Sequence, residues 1–204
     1  MRPGAYYRAL LAKRLGMRPG HGWSLDLGAG DGTVLGHVGT EKVVALDPAP
    51  RQGVVRGDGT ALPFACSSFS TVFVMDVLEH VADDGHLWQE VLRVTAPGAT
   101  IWLTVPSREM RLFPAFLTPF AHNAWGHRRP GYGREDLEAL APPGAGTSVY
   151  CWDEPAYRTL YPVIWLLARL AHPLARVAVR AAFWYDARHW EGDQGHLVCR
   201  IVLP

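Results

Sequence analysis

Cysteine is scarce in this chain of 204 residues, and its three copies, Cys66, Cys151 and Cys199, lie far apart. The sequence contains no CxxC pair, so it gives no sign of a zinc ligand set, and we expect no metal site. An odd number of scattered cysteines also argues against a disulfide framework. We therefore expect a reducing, cytoplasmic location.

The chain also lacks an excess of either charge and a continuous apolar run long enough to span a bilayer. Lys and Arg together number 20 and Asp and Glu 19, which gives a net charge of +1. A nearly neutral chain has no global field that would attract nucleic acid. The first twenty residues include Arg2, Arg8, Lys13 and Arg14 and no unbroken apolar segment, which argues against a secretory signal. A small molecule is therefore the expected partner, with no nucleic acid.

Short apolar segments rich in β-branched residues alternate with helical or loop segments. This pattern is typical of a parallel sheet covered by helices, and the length favours one domain over residues 1–204. An amphipathic helix is predicted at 83–95, between two of the strands. The predicted strands are 23–27, 43–47, 54–56, 71–75, 100–105, 147–152 and 196–203.

The strongest single signal is the motif SLDLGAGDGTVL at residues 24–35, a strand that ends in glycines spaced GxGxG. Glycine lets the backbone approach a ligand closely, and a helix that follows presents unpaired amides. Asp47 ends the next strand, where a carboxylate can accept both ribose hydroxyls of an adenosine. A nicotinamide oxidoreductase is disfavoured, because Thr33 stands where the dinucleotide fingerprint requires its third glycine.

Together with VVALDPAP, GDGTALPF, VFVMDVLEHVADD and EVLRVTAPGATIWLTVPS, this motif resembles the ordered motifs of class I S-adenosylmethionine-dependent methyltransferases. The resemblance covers residues 24–107. It implies a three-layer Rossmann-like sheet, mostly parallel with one antiparallel strand near the C-terminus. It also implies S-adenosyl-L-methionine as cofactor and methyl transfer to a small-molecule acceptor. The chain departs from the family pattern after Asp47, where the link to the third strand is too short for the usual covering helix.

The resemblance places the cofactor at the carboxyl ends of the first, second and fourth strands. Asp58 would contact the adenine, although GDGT is also an ordinary turn composition. Asp76 would contribute mainly its backbone. The candidate cofactor-binding residues are Asp26, Gly28, Ala29, Gly30, Asp47, Pro48, Asp58, Gly59 and Asp76.

An insertion at about residues 107–133 is longer than a tight connection requires. In similar methyltransferases such an insertion covers the substrate pocket, and the stretch WGHRRPGYGREDLEAL resembles the family pattern there. If the acceptor must lose a proton, His127 is the first candidate base and His80 the second, each able to titrate near neutral pH. Arg128, Arg129 and Tyr132 are the substrate-side candidates. They suggest an acceptor with an apolar body and an anionic group. Alternatively, His80 and the aromatic side chains of the insertion have only a packing role, and the arginines are only exposed to solvent.

Residues 155–182 form an apolar helical stretch that Pro162 and Pro173 are predicted to interrupt. Its arginines, 158, 169, 176 and 180, are predicted to share one helical face. Such a stretch could lie on an anionic membrane surface, but we favour a pair of covering helices. A non-catalytic module that binds cofactor or serves as a membrane-surface scaffold is the alternative to an enzyme.

Overall fold

One sheet of seven strands organises the chain. The computed structural model describes residues 2–33, 36, 39, 42–49 and 53–204. The strand order across the sheet is β3-β2-β1-β4-β5-β7-β6. The strands are β1 Ser24–Leu27, β2 Val43–Asp47, β3 Val55–Arg56, β4 Phe69–Met75, β5 Thr95–Pro106, β6 Gly146–Trp152 and β7 His196–Val202.

Helices of the described residues cover the sheet or form the segment between β5 and β6. Most of the helix predicted after the glycine motif, and part of the link after Asp47, lie outside the described residues. Two short 3-10 helices span Leu78–His80 and Ala115–Leu117. The α-helices are α1 Pro3–Arg14, α2 Asp84–Val94, α3 Thr118–Trp125, α4 Arg134–Ala139, α5 Pro155–Leu170 and α6 His172–Asp186.

Strand direction confirms the predicted fold class. Neighbouring strands from β3 to β5 are parallel, and β7 is antiparallel to both β5 and β6. The order along the chain reverses at β1, because β2 and β3 lie on one side of it and β4 and β5 on the other. In open α/β sheets the crevice at such a switch point, outside the carboxyl ends of the strands, is where ligands bind.

Side chains alternate between the two faces of the sheet, so each central strand contributes side chains to two apolar clusters. On one face Val72 and Val74 of β4 pack with the α2 side chains Leu87 and Val91. On the other face Phe73 of β4 belongs to a cluster that α1, α5 and α6 complete. The sheet is therefore the middle of three layers, as predicted.

The prediction that Pro162 interrupts the helical stretch is wrong, because α5 continues through it. Proline lacks the amide that would bond to the carbonyl four residues earlier. That carbonyl, on Arg158, instead accepts a hydrogen bond from the backbone N–H of Phe113 at 3.4 Å. The chain breaks at Ala171, and Pro173 lies in the first turn of α6, where proline is tolerated.

The prediction of a single arginine face on residues 155–182 is also wrong, because the chain turns between α5 and α6. Arg158 is half-buried and donates to Asp153 and Gln194. Arg169 lies over the ring of Trp165 at 3.6 Å, and Arg176 lies over the ring of Tyr6. No helix of the described residues is long and apolar enough to cross a membrane.

Candidate functional site

The turn after β1 leaves room for a ligand at the carboxyl edge of the sheet. Gly28 and Gly30 have φ values of 75° and 56°, which glycine adopts without strain. A Cβ at Gly28 would lie 2.4 Å from Cγ2 of Val77, so a larger residue does not fit there. A Cβ at Gly30 would approach the described residues no closer than 3.9 Å, at the carbonyl oxygen of Gly28. As far as the described residues go, the space in front of Gly30 is therefore open.

Asp47 ends β2 beside this turn. Its Oδ2 accepts a hydrogen bond from the Gly30 amide at 2.9 Å, and its Oδ1 accepts one from the Ala49 amide at 2.8 Å. An ionised carboxylate offers about four lone-pair positions, so further donors can bind. The predicted ribose acceptor and the predicted glycine turn thus lie side by side. Ala29 packs on the same turn, and Pro48 is exposed.

Asp26 lies inside β1 with 2% of its surface exposed, and its Oδ2 has no hydrogen-bond partner. Burial, and to a lesser extent the neighbouring Asp47, raises the pKa of Asp26 to about 7. A buried carboxyl oxygen without a partner is uncommon in proteins. This atom is therefore a candidate to face a ligand.

Asp58 forms a local turn. Its Oδ1 accepts hydrogen bonds from both the backbone N–H and the hydroxyl of Thr60, each at 2.9 Å, and these bonds lower the pKa of Asp58. Gly59 beside it is buried, and a Cβ there would lie 2.8 Å from Leu87. The geometry accounts for GDGT as a turn, and contact with an adenine stays a prediction.

Asp76 follows β4 directly and has a φ of 54°, a value that few residues other than glycine adopt. Its carboxylate accepts hydrogen bonds from the hydroxyl of Thr104 at 2.7 Å and from Nε of Arg8 at 3.0 Å. Its backbone amide donates to the carbonyl of Thr104. These bonds hold Asp76 in its strained backbone conformation at the switch point of the sheet.

Arg8 connects Asp76 to a buried ionic network that sequence reasoning did not find. The guanidinium pairs with Glu154, at the start of α5, and contacts Nδ1 of His196, at the start of β7, at 2.7 Å. Burial would raise the pKa of Asp76 and of Glu154, but the Arg8 guanidinium and the neighbouring His196 ring outweigh it. Both carboxyls have a pKa of about 2 and are ionised at neutral pH.

The segment at 107–133 folds back onto the end of β4. Ser107 and Tyr132 form a parallel bridge, so the segment begins and ends side by side. Arg129 is ion-paired with Asp84, which also accepts a hydrogen bond from the Tyr132 hydroxyl at 2.8 Å. Arg128 is exposed, and its Nε donates to the His80 carbonyl at 3.2 Å. The internal bonds of Arg129 and Tyr132 leave Arg128 as the freer of the substrate-side candidates.

Two histidine rings of this segment, His122 and His127, meet the ring of His80, which follows β4. Helix α3 ends at Gly126 in the left-handed conformation, and the His127 amide donates to the His122 carbonyl, the pattern of a Schellman cap. The ring centre of His127 lies 4.9 Å from that of His122 and 4.8 Å from that of His80. The sequence indicated His80 and His127, whereas His122 was missed.

The prediction that His127 titrates near neutral pH is wrong for this structure. Burial, followed by the neighbouring rings of His80 and His122, lowers the pKa of His127 to about 3. The imidazole is therefore neutral at pH 7 and a weak base. Nearby Glu79 is 1% exposed, and burial raises its pKa well above the usual range.

Comparison with known proteins agrees with the sequence motifs. A family model described as a methyltransferase domain matches residues 25–103. An uncharacterized methyltransferase from Mycobacterium sp. (strain KMS) is 36% identical over a region that covers 42% of this chain. The chain spans 41% of the length of that relative.

Solved structures share the fold at lower identity. Phosphoethanolamine N-methyltransferase 2 from Haemonchus contortus, in complex with S-adenosyl-L-methionine, superposes with a TM-score of 0.62 at 18% identity and covers 97% of this chain. This chain covers 52% of that protein. An S-adenosylmethionine-dependent methyltransferase from Thermotoga maritima gives a TM-score of 0.62 at 15% identity, with coverage of 98% and 89%.

The strand order, the glycine turn beside Asp47 and the matched methyltransferase domain lead to the same assignment. The resemblance expected from the sequence is confirmed. Residues 25–103 match a methyltransferase domain family, and the chain as a whole shares the fold of S-adenosylmethionine-dependent methyltransferases of known structure.

Proposed function

We propose that this chain binds S-adenosyl-L-methionine at the carboxyl edge of β1, β2 and β4 and transfers its methyl group to a small-molecule acceptor. The observation that carries the proposal is the contact between the Asp47 carboxylate and the Gly30 amide. This contact supports the proposal, because a carboxylate with further lone pairs lies next to the glycine turn at the switch point of the sheet.

The residues present fit this cofactor. The space in front of Gly30 accommodates a ligand close to the backbone. The unpartnered Oδ2 of Asp26 provides a buried negative site for a cationic group, and S-adenosylmethionine carries an ammonium and a sulfonium. Asp47 would accept hydrogen bonds from the ribose hydroxyls, and Gly28 and Ala29 would line the turn. Pro48, Asp58 and Gly59 would border the adenosine side, with the backbone of Asp76 opposite.

The chain contributes mainly alignment and the exclusion of water, because the cofactor supplies a methyl carbon already activated by its sulfonium. The Arg8 network fixes Asp76, and thereby the end of β4, against β7. Where the acceptor must lose a proton, exposed His80 is the proposed base in the metal-free protein. His127 is suited to accept a hydrogen bond through Nδ1, which has no partner in the structure.

The acceptor would enter through a cleft of about 450 Å³ beside the histidines. Its lining includes Arg111, Thr118 and His122. The side-chain bonds described for Arg111 go to the carbonyls of Arg108 and Met110, so its charge is available to an anionic group. Exposed Arg128 adds a second positive charge on the 107–133 segment. A small acceptor with an anionic group is therefore the proposed substrate class.

Ligand-dependent thermal stabilisation tests the proposal together with product formation. S-adenosylmethionine at a hundredfold its Kd should stabilise the protein by about 2.7 kcal/mol, whereas a nicotinamide dinucleotide should not. The protein is then incubated with S-adenosylmethionine and a panel of small amines, phenols and carboxylic acids. With at least one of these acceptors, S-adenosylhomocysteine should form. Stabilisation by the dinucleotide alone would contradict the proposal. Cofactor binding without turnover of any acceptor would favour the non-catalytic module.

Asp26 should make the affinity for S-adenosylmethionine depend on pH. Its carboxyl, with a pKa of about 7, ionises as the pH rises from 6 to 8 and then attracts a cationic ligand. The ionised fraction of Asp26 increases about tenfold over this range. We therefore expect the affinity of the wild type, relative to that of Asp26→Asn, to increase about tenfold as well. Calorimetry on both proteins at each pH cancels the titration of the ligand itself. A constant affinity ratio would show that Asp26 does not face the cation.

The same variant separates binding from stability. The pKa of Asp26 is raised on folding, so the ligand-free fold loses stability as the pH increases from about 4 to 7. Asp26→Asn removes this penalty. Without ligand, the variant should therefore be more stable than the wild type at pH 8 in urea unfolding, by more than about 1 kcal/mol. Equal stability at pH 8 would contradict the raised pKa.

A further inference from the structure

Three buried polar atoms without hydrogen-bond partners lie together where the 107–133 segment meets the 3-10 helix after β4. Of the eight such atoms among the described residues, Oε2 of Glu79, Nδ1 of His127 and Nε2 of His122 belong to this one cluster. Proteins rarely leave buried polar atoms unpaired, because each costs about 1 to 3 kcal/mol. A shared partner would satisfy several of them at once.

The positions of these side chains suit a metal ion as that partner. Glu79, His80 and His127 each offer one ligand atom, and these atoms all lie within 4.8 Å of one another. Two atoms bound to one ion at about 2.1 Å can be no more than about 4.2 Å apart. In the tetrahedral geometry that zinc prefers, ligand atoms lie about 3.4 Å apart, so the longest separation must shrink by up to about 1.4 Å when an ion binds. His80 is exposed on a short 3-10 helix, so its ring can rotate once the contact of its Nδ1 with the Gly126 carbonyl at 3.3 Å is broken.

The donor set selects the kind of ion. Two imidazoles and one carboxylate suit zinc and other first-row transition metals, whereas magnesium prefers an all-oxygen shell. We propose that Glu79, His80 and His127 bind one divalent transition-metal ion. This site was not predictable from the sequence, because its ligands come from the 3-10 helix after β4 and from a turn 47 residues after His80.

Local structure holds two of the ligands in place independently of any ion. The Arg128 amide donates to the Glu79 carbonyl at 2.8 Å, which ties the lid turn to the 3-10 helix. The Schellman cap at Gly126 then fixes the backbone of His127 opposite Glu79.

Three protein ligands leave coordination positions open for another molecule. His122, whose ring packs against His127, also lines the cleft proposed for the acceptor. A hydroxyl or carboxylate oxygen entering by this cleft could therefore complete the coordination of the ion. The ion site itself does not depend on methyl transfer, whereas a role for the ion in holding the acceptor rests on the proposed function.

Metal binding can be measured without cofactor or acceptor. The full chain, freed of metal with a chelator and dialysed, is titrated with Zn²⁺ or Mn²⁺ by calorimetry, with Mg²⁺ as the comparison. We expect one equivalent of Zn²⁺ to bind and Mg²⁺ to bind far more weakly. Glu79→Gln, His80→Ala and His127→Ala should each weaken Zn²⁺ binding at least tenfold. His172→Ala, at an exposed histidine on α6, is the matched control and should have no effect.

His80→Ala keeps the test decisive, because this exposed side chain can be removed without opening the core. No saturable binding of Zn²⁺ or Mn²⁺ to the wild type would overturn the proposal. Zn²⁺ binding that neither His80→Ala nor His127→Ala weakens would also overturn it. S-adenosylmethionine binding is measured on the same preparations. If it persists while metal binding fails, only the metal site is refuted.

Discussion

Replacing Arg8 by alanine is expected to lower the free energy of unfolding by about 3 to 5 kcal/mol, the cost of leaving buried charges unpaired. Arg8 is 3% exposed and is the cation shared by Asp76 and Glu154. Urea unfolding at pH 7 measures the change. Arg14→Ala, at an exposed arginine of the same helix, should shift stability by less than about 0.5 kcal/mol. Similar losses for the two variants would contradict the role of the network.

The pH dependence of this loss identifies its cause. Folding lowers the pKa of Asp76 and Glu154 to about 2, so the stability they contribute is present above about pH 4.5 and is lost as the pH falls toward 2. In Arg8→Ala the unpaired carboxyls can become neutral in acid. The difference between wild type and variant should therefore shrink as the pH falls from 5 to 3. A constant difference would indicate lost packing rather than unpaired charge.

Replacing Asp47 by alanine is expected to weaken S-adenosylmethionine binding by about 1 to 3 kcal/mol, or roughly 5- to 150-fold in Kd. The change removes the carboxylate that would accept the ribose hydroxyls and that now accepts from Gly30. Titration calorimetry gives the Kd, and circular dichroism checks the fold. Asp193→Ala, at an exposed loop position, is the control and should bind normally.

Asp47→Asn refines this test, because the amide oxygen can still accept from Gly30 but carries no charge. Its affinity should fall between those of the wild type and the alanine variant, since hydrogen bonds to charged acceptors are stronger than those to neutral ones. If Asp47→Ala binds S-adenosylmethionine as tightly as the wild type, the cofactor does not lie over β2.

The fold was predictable because its signals are local. Each parallel strand is a short apolar run with its own flanking turn, and helix α2 has an Asp cap and an apolar stripe within eleven residues. The glycine turn and Asp47 were predictable for the same reason, since each lies directly after a strand. Parallel pairing of β1 with β2 then brings the two together.

The ionic network was not predictable, because Arg8 meets partners 68, 146 and 188 residues away. No local pattern marks such a cluster. The low pKa of His127 likewise depends on its burial and on the neighbouring rings of His80, 47 residues earlier in the chain, and of His122. In helix α5, the Arg158 carbonyl that Pro162 leaves without its usual partner accepts from the Phe113 amide of the 107–133 segment. In each case the deciding contact comes from another part of the chain.

The structure of this chain crystallised with S-adenosylhomocysteine would test the central claim most directly. The account predicts that both ribose hydroxyls lie within about 3 Å of the Asp47 carboxylate, a normal hydrogen-bond distance. It also predicts that the sulfur points toward the cluster of His80, His122 and His127. A ligand bound elsewhere on the chain, or bound in this crevice with its ribose away from Asp47, would contradict it.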